Sequence, residues 1–361
     1  PSSTLVAWLK PPQNPPSAPM EPAASGPGRP EELATELRGY AARALARIRT
    51  ASCPGGHGLQ RAEAAAAGLV CDLCGEGLAG GAEVFSCRPC NFDICGACLH
   101  GGPERQEETR AGKMARRLEG YAAQARLYAD AAKQRLALAA LPQALVGAER
   151  DEARLQELLR WFKADFFRWT DAPRCPACGA PGAKHEGMAE PSAEDLRYGA
   201  RRVESWRCGA CGGLARFPRY NDPARLLVSR HGRCGEWANC FTLCLAALGY
   251  DCRLVVDWTD HVWSEVYLGG AWRHCDPCEG CHGAPLTYEA GWGKKLTYIM
   301  AFSGDEVRDV TPRYTASWPQ VLARRTQLSE ERLARLVEGL DRRQRGAAAG
   351  APPWRAAEAA E

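Results

Sequence analysis

"HGRCGEWANC", residues 231–240, decides how this chain is read. It continues as "CGEWANCFTLCLAALGYD", which predicts a helix starting at or just after Cys234 and stopping at Gly249. The first turn of a helix presents unpaired backbone N–H groups and partial positive charge. A cysteine placed there favours the thiolate, the form that attacks a carbonyl, and the same N–H groups can steady an oxyanion. Cys240 and Cys244 fall on apolar spacing with Phe241, Leu245 and Leu248, and read as small core residues.

A thiolate needs an imidazole and a group to orient it. "TDHVWSEVYL" puts His261 at the start of a strand, and "WRHCDP" puts Asp276 at the end of the next. The intervening "GG" predicts a hairpin turn, which sets the two side chains beside each other, facing the helix terminus. A lone histidine or strand-end aspartate is usually structural. Cys, His and Asp in that order on helix, strand and strand instead form an acyl-transfer triad.

The other cysteines point to metal. The 361 residues include 18 cysteines, most of them in C-x-x-C pairs that can clamp one ion between two thiolates. Cys175, Cys178, Cys208 and Cys211 make a closed Cys₄ set, filled by thiolates and therefore structural rather than catalytic. Cys53, His57, Cys71, Cys74, Cys87, Cys90, Cys95 and Cys98 offer eight donors, enough for two interleaved sites in a cross-braced module. So short a segment cannot bury much apolar surface, so metal would supply its folding free energy. His100 reads as an exposed residue, with replacement of one ligand as the alternative. "HCDPCEGCH" (274–282) resembles a cluster, but its two spacings share Cys278 and no second pair closes it.

The composition excludes other classes. Forty-six basic and 43 acidic residues give a net charge of +3, too little to favour nucleic acid or an acidic membrane surface. No apolar run reaches bilayer length and no signal-peptide pattern is visible. The chain begins at Pro1, which reads as a fragment or processed form with a targeting segment left open. Clustered thiols without a secretory signal imply a reducing compartment, cytosolic or nuclear.

Residues 1–30, rich in Pro, Ser and Gly, read as disordered, and 31–50 has helical spacing. The zinc module spans 51–101 and a long helical stretch runs over 108–170, broken at Pro142. Trp161, Phe162, Phe166 and Phe167 recur at helical spacing, as a face packed on a core. A core of helix and strands follows over 171–320. The helix at 327–346, with Leu333, Leu336, Val337 and Leu340 on one side, reads as packed on that core, with partner binding as the alternative. Residues 347–361 read as a tail.

From Leu158 to Tyr314 these residues resemble the cytoplasmic peptide:N-glycanases of the transglutaminase-like superfamily. The resemblance rests on "LLRWFKADFFRWTDAPRCPACG", "GRCGEWANCFTL", "TDHVWSEVY", "HCDPCE" and "GWGKKLTYIMAFSGDEVRDVTPRY". It implies an α+β fold, with a transglutaminase-like (papain-like) core and a Cys₄ zinc lobe, preceded by helices and a small cross-braced zinc finger. By it Cys234 is the nucleophile, His261 the base and later acid, and Asp276 the orienting carboxylate. The expected reaction cleaves the amide between N-acetylglucosamine and asparagine in misfolded N-glycoproteins. Glu279 and Trp292 match the family's glycan contacts, with Trp263, Glu265 and Trp237 as further cleft residues.

The 51–101 block loosely resembles C1-like or ZZ-type zinc fingers. It stands where the animal form of the family carries its N-terminal docking domain, and that form's C-terminal sugar-binding sandwich is not recognisable. Zinc is the expected cofactor, one ion in the core and two in the N-terminal module. Proteasome-shuttle or ubiquitin-handling proteins are partners by analogy. An idle transglutaminase-like scaffold, or a transglutaminase or thiol protease, are the alternative readings.

Overall fold

The computed structural model describes residue 53 and residues 56–64, 69–74, 76–100 and 102–346. The expected disorder over 1–30, the helix at 31–50, the tail from 347 and the His100 side chain lie outside the described residues. Contacts divide the chain into two units, Pro1–Leu59 and Gln60–Glu361. Little of the first is described. Within it the Cys53 Sγ lies 3.5 Å from His57 Nδ1.

The second unit opens with a three-stranded antiparallel sheet of Gln60–Glu63, Glu83–Cys87 and Phe92–Cys95, beside the short ladder Leu69–Val70 with Gly77–Leu78. Helices then run from Gly102 to Trp161, broken at Pro142. Breaks fall at Asp130 and Asp151 as well, where an aspartate carboxylate accepts the N–H groups of a new first turn. Asp130 caps Ala131–Ala140 through Ala132 and Lys133, and Asp151 caps Glu152–Trp161 through Arg154. The aromatic run ends that bundle in a wide turn, Phe162–Phe166, with Phe162, Phe166 and Phe167 buried.

A six-stranded antiparallel sheet follows, in the order Cys281–His282, Ala271–Asp276, His261–Leu268, Cys252–Asp257, Ile299–Phe302, Val307–Asp309. Both faces of its central strands are covered. Leu254, Val256, Val266, Met300 and Phe302 face the helix Cys234–Ala247 in the main core. Val255, Trp263, Ile299 and Ala301 pack with Tyr288, Leu296, Tyr314 and Val321 in a second core. The helix is mostly apolar and is buried from Glu236 to Leu245, with its polar Glu236, Asn239 and Thr242 each hydrogen-bonded. Its end matches the sequence reading: Gly249 adopts φ 79° and donates to Ala246, while Tyr250 donates to Leu245. Gly269 and Gly270, both at positive φ, make the hairpin that joins Leu268 to Ala271.

The helix Glu330–Gly346 lies on this unit. Leu333 and Leu340 are buried, Leu336 and Val337 pack on the core, and Gln344 donates to the carbonyls of Ala122 and Ser303. Its apolar side is therefore occupied within the chain. No helix among the described residues is long and apolar enough to cross a membrane.

Arg253 anchors the second core. It is fully buried, with Nε 2.6 Å from Glu265 and an Nη 2.8 Å from Glu306. Removing one partner of such a group leaves buried charge uncompensated, at a cost of about 3–5 kcal/mol. Arg253→Ala should therefore lower the unfolding free energy by about that amount in urea titration. A loss under about 1 kcal/mol, typical of an exposed pair, would show that the pairs are solvated.

Candidate active site

The nucleophile position is built from its anchor outward. Strand His231–Gly232 pairs in parallel with Arg168–Trp169, and the helix starts two residues later at Cys234. Glu236 folds back from the first turn to accept the Arg233 N–H at 2.9 Å. Its carboxylate is gripped at both oxygens by Arg219, at 2.6 and 2.7 Å. Arg219 and Arg233 also both bind Glu204 on the strand Val203–Arg207, so four charged side chains tie the helix start to the neighbouring lobe. The pairing neutralises a carboxylate that would otherwise oppose a thiolate two residues away. Gly232 must be glycine, since a Cβ there would fall 2.4 Å from the Glu236 Cβ.

His261 begins the strand His261–Leu268 and Asp276 ends Ala271–Asp276. Ser264 opposes Cys275 in the ladder, so His261 and Asp276 meet on the diagonal of one sheet face rather than directly across. His261 Nε2 lies 2.7 Å from Asp276 Oδ2, which leaves Nδ1 as the nitrogen free for the thiol. Burial opposes charge on the ring. Hydrogen bonds to Asp276 and to Cys234 outweigh it, and the pKa rises from 6.5 to about 9. Asp276 is fully buried, which raises its pKa, but His261, Tyr288 and the Glu279 N–H together hold it below the usual 3.8. The three groups can thus carry a proton on His261 beside the Cys234 sulfur at neutral pH.

Of the expected substrate contacts, two are exposed near this centre. The Trp292 ring, 44% exposed, stands edge-on 4.9 Å from the His261 ring. Glu279 is exposed, and its carbonyl accepts from Lys163 at 2.8 Å. The other three are corrections. Trp263 is fully buried, stacked 4.3 Å from Tyr288 and donating to the Tyr314 hydroxyl. Glu265 is spent on Arg253 and Tyr314, and Trp237 is buried against Phe162 and Phe167. Trp263 and Glu265, two and four residues after His261, point to the same sheet face, and Tyr288 and Tyr314 cover that face beyond His261. Sequence reasoning missed Tyr288, which donates to Asp276 Oδ2 at 2.8 Å, because it arrives from a turn twelve residues downstream. It also missed Glu236, Arg219 and Glu204, where "CGE" offered the only local signal, a carboxylate at a helix start.

The metal-capable groups follow the expected spacing. The sulfurs of Cys175, Cys178, Cys208 and Cys211 lie within 4.8 Å of one another, with Cys175 to Cys211 at 3.5 Å and Cys178 to Cys208 at 3.6 Å. Four thiolates at zinc bond length on a tetrahedron stand about 3.8 Å apart, so the donors fit. Backbone N–H groups of Cys178 and Ala177 draw Cys175 down to about 6, ready as a thiolate. Gly179 and Gly212, at positive φ, turn the two knuckles. Cys71, Cys74, Cys95 and Cys98 gather in the same way, the pairing expected of an interleaved module. Of the other expected donors, Cys53 and His57 belong to the first unit and Cys87 and Cys90 to the second. Cys240 and Cys244 are buried in the core, and burial pushes Cys240 far above 9.

The family described as the transglutaminase-like superfamily matches residues 184–277. A peptide-N(4)-(N-acetyl-beta-glucosaminyl)asparagine amidase of Gallus gallus is 52% identical over 191 residues, 52% of this chain and 29% of that protein. The Arabidopsis thaliana protein of the same name is 45% identical over 253 residues, 65% of this chain and 35% of that one. The chain thus spans about a third of the length of these relatives. Among solved structures, Rad4-Rad23 crosslinked to an undamaged DNA is similar at 14% identity and a TM-score of 0.47, covering 71% of this chain and 57% of that one. A likeness of that size carries no functional argument. Residues 184–277 therefore match the transglutaminase-like superfamily, and the chain is similar over half or more of its length to proteins named peptide-N(4)-(N-acetyl-beta-glucosaminyl)asparagine amidase.

Proposed function

We propose that this chain is a thiol amidase that removes N-linked glycans from misfolded glycoproteins, with 171–320 as its catalytic core. The observation that carries the reading is the 2.7 Å bond that His261 Nε2 donates to Asp276 Oδ2, which with Cys234 raises the His261 pKa to about 9 against the opposing effect of burial. Homology to the named amidases selects the substrate class. The Cys234 thiolate attacks the side-chain carbonyl of the glycosylated asparagine, and N–H groups of the first helical turn bind the oxyanion. As the C–N bond breaks, His261 gives its proton to the departing glycosylamine. The thioester remains on Cys234. His261, now neutral, takes a proton from water, which attacks the thioester and releases aspartate and the free thiolate. The Trp292 face suits a sugar ring, and the Glu279 carboxylate can accept sugar hydroxyls.

Zinc suits the Cys₄ lobe. Bound there it would fix the strand bearing Glu204, with no open coordination position and no part in the chemistry. We extend the same structural role to the N-terminal cysteines. Dependence on free thiolates supports the cytoplasm as the site of action, and proteasome-shuttle proteins as partners remain an extension of the family resemblance.

Three outcomes check this reading. Mass spectrometry of a denatured N-glycopeptide should show glycan loss with Asn converted to Asp for the wild type and none for Cys234→Ala. Cleavage or cross-linking of the unglycosylated peptide would favour the protease or transglutaminase alternative, and inert wild type the scaffold. The rate should fall as pH rises through about 9, where His261 loses the proton it must donate. In Asp276→Asn that limb should move down toward 6.5, and an unmoved limb would detach it from His261. Cys175→Ser should lose metal and melt earlier, while Cys234→Ala keeps both metal and melting temperature; full metal content in Cys175→Ser would remove the lobe assignment.

A further inference from the structure

Asp276 accepts four hydrogen bonds. Oδ1 takes the backbone N–H groups of Cys278 (2.9 Å) and Glu279 (3.2 Å), and Oδ2 takes His261 Nε2 (2.7 Å) and the Tyr288 hydroxyl (2.8 Å). Tyr288 is buried beneath the triad, and its hydroxyl also lies 2.7 Å from Nε2 of His274, two residues before Asp276 on the same strand. The reaction above uses neither Tyr288 nor His274.

The Tyr288 hydroxyl has one proton and two possible acceptors. If it donated to His274 Nε2, the neutral ring would carry its own proton on Nδ1. That atom is buried with no hydrogen-bond partner among the described residues, so a bare N–H would be stranded and Asp276 would lose a donor. In the opposite arrangement His274 Nε2–H donates to Tyr288, and Tyr288 donates to the carboxylate, the stronger acceptor. Only a lone pair on Nδ1 then goes unused. Burial keeps His274 neutral at a pKa near 4, against the pull of Asp276 and Glu265 and with the help of His261 and His282.

We propose that His274, as the neutral Nε2–H tautomer, is a positioning residue that turns the Tyr288 hydroxyl onto Asp276 and so fixes the carboxylate that holds His261. The chain of donors runs one way, from His274 to Tyr288 to Asp276. Neither residue touches a reacting atom. The kinetic consequence rests on the triad reading above; the tautomer does not.

Two measurements on the full chain test this. Long-range ¹H–¹⁵N correlation spectra near neutral pH should show His274, assigned by its loss in His274→Gln, with Nε2 protonated and Nδ1 bare. The opposite tautomer, or an imidazolium, overturns the proposal whatever the activity. On a glycopeptide substrate, Tyr288→Phe should lower kcat on the order of 10- to 100-fold with KM unchanged, the loss expected of a buried bond to a charged group. His274→Gln, whose amide N–H can still donate to Tyr288, should retain more activity than His274→Leu. Wild-type kcat in Tyr288→Phe, a loss confined to KM, or equal losses in the two His274 variants would each overturn it. Should Tyr288→Phe fail to fold, the spectra and the His274 pair decide alone. A wild type that cleaves no glycopeptide would instead defeat the proposed function, with the spectra still deciding the hydrogen-bond chain.

Discussion

The helix Cys234–Ala247 is enclosed on every side from Glu236 to Leu245, and the rest of the fold follows from that enclosure. A helix so buried can offer solvent only its end, and the end it offers begins with Cys234. The N–H groups of a first turn have no intrahelical partner, so side chains must help to fix the end. Here the Glu236, Arg219, Arg233 and Glu204 knot does so, binding the turn to a strand of the Cys₄ lobe. This gives the lobe a reason to exist at a distance from the chemistry. Its metal-capable cysteines flank the sheet whose Glu204 binds both arginines at the start of the Cys234 helix.

On the other side of the thiol, the controlling group is Asp276. It has no exposure to solvent, yet four donors keep it ionised. A carboxylate so held can keep His261 charged against the penalty of burial. The second core of Trp263, Tyr288, Tyr314 and Val255 supplies the dry surroundings in which that pairing is strong. Glu265 and Arg253, which flank it, are structural in the same sense, since they satisfy one another inside the layer.

Much of this was legible in the sequence. The helix from Cys234 to its glycine stop, the GG hairpin and the three strands follow from apolar spacing and turn chemistry, which are local signals. The C-x-x-C pairs that make the Cys₄ lobe were legible for the same reason. What was not legible is which side chains of a two-sided sheet face solvent. Trp263 and Glu265 share the sheet face of His261 and are buried because the second core covers that face, while helix packing buries Trp237. Both faces of these strands are covered, so no polar face marked the alternation. Tyr288 and Arg219 reach the site from distant turns and strands, and no local pattern could mark them. The breaks at Asp130 and Asp151 were readable as caps, but a helical stretch rich in Ala and Leu masked them.

The central claim is that Cys234 forms an acyl bond during turnover. The most direct test is acid quench of the full chain early in its reaction with a glycopeptide in ¹⁸O-labelled water, followed by peptide mapping. The account predicts a substrate acyl adduct on the peptide containing Cys234, and one labelled oxygen in the product aspartate. Labelled product with no adduct on that peptide at any quench time would contradict it, because water would then have attacked the amide without the thiol.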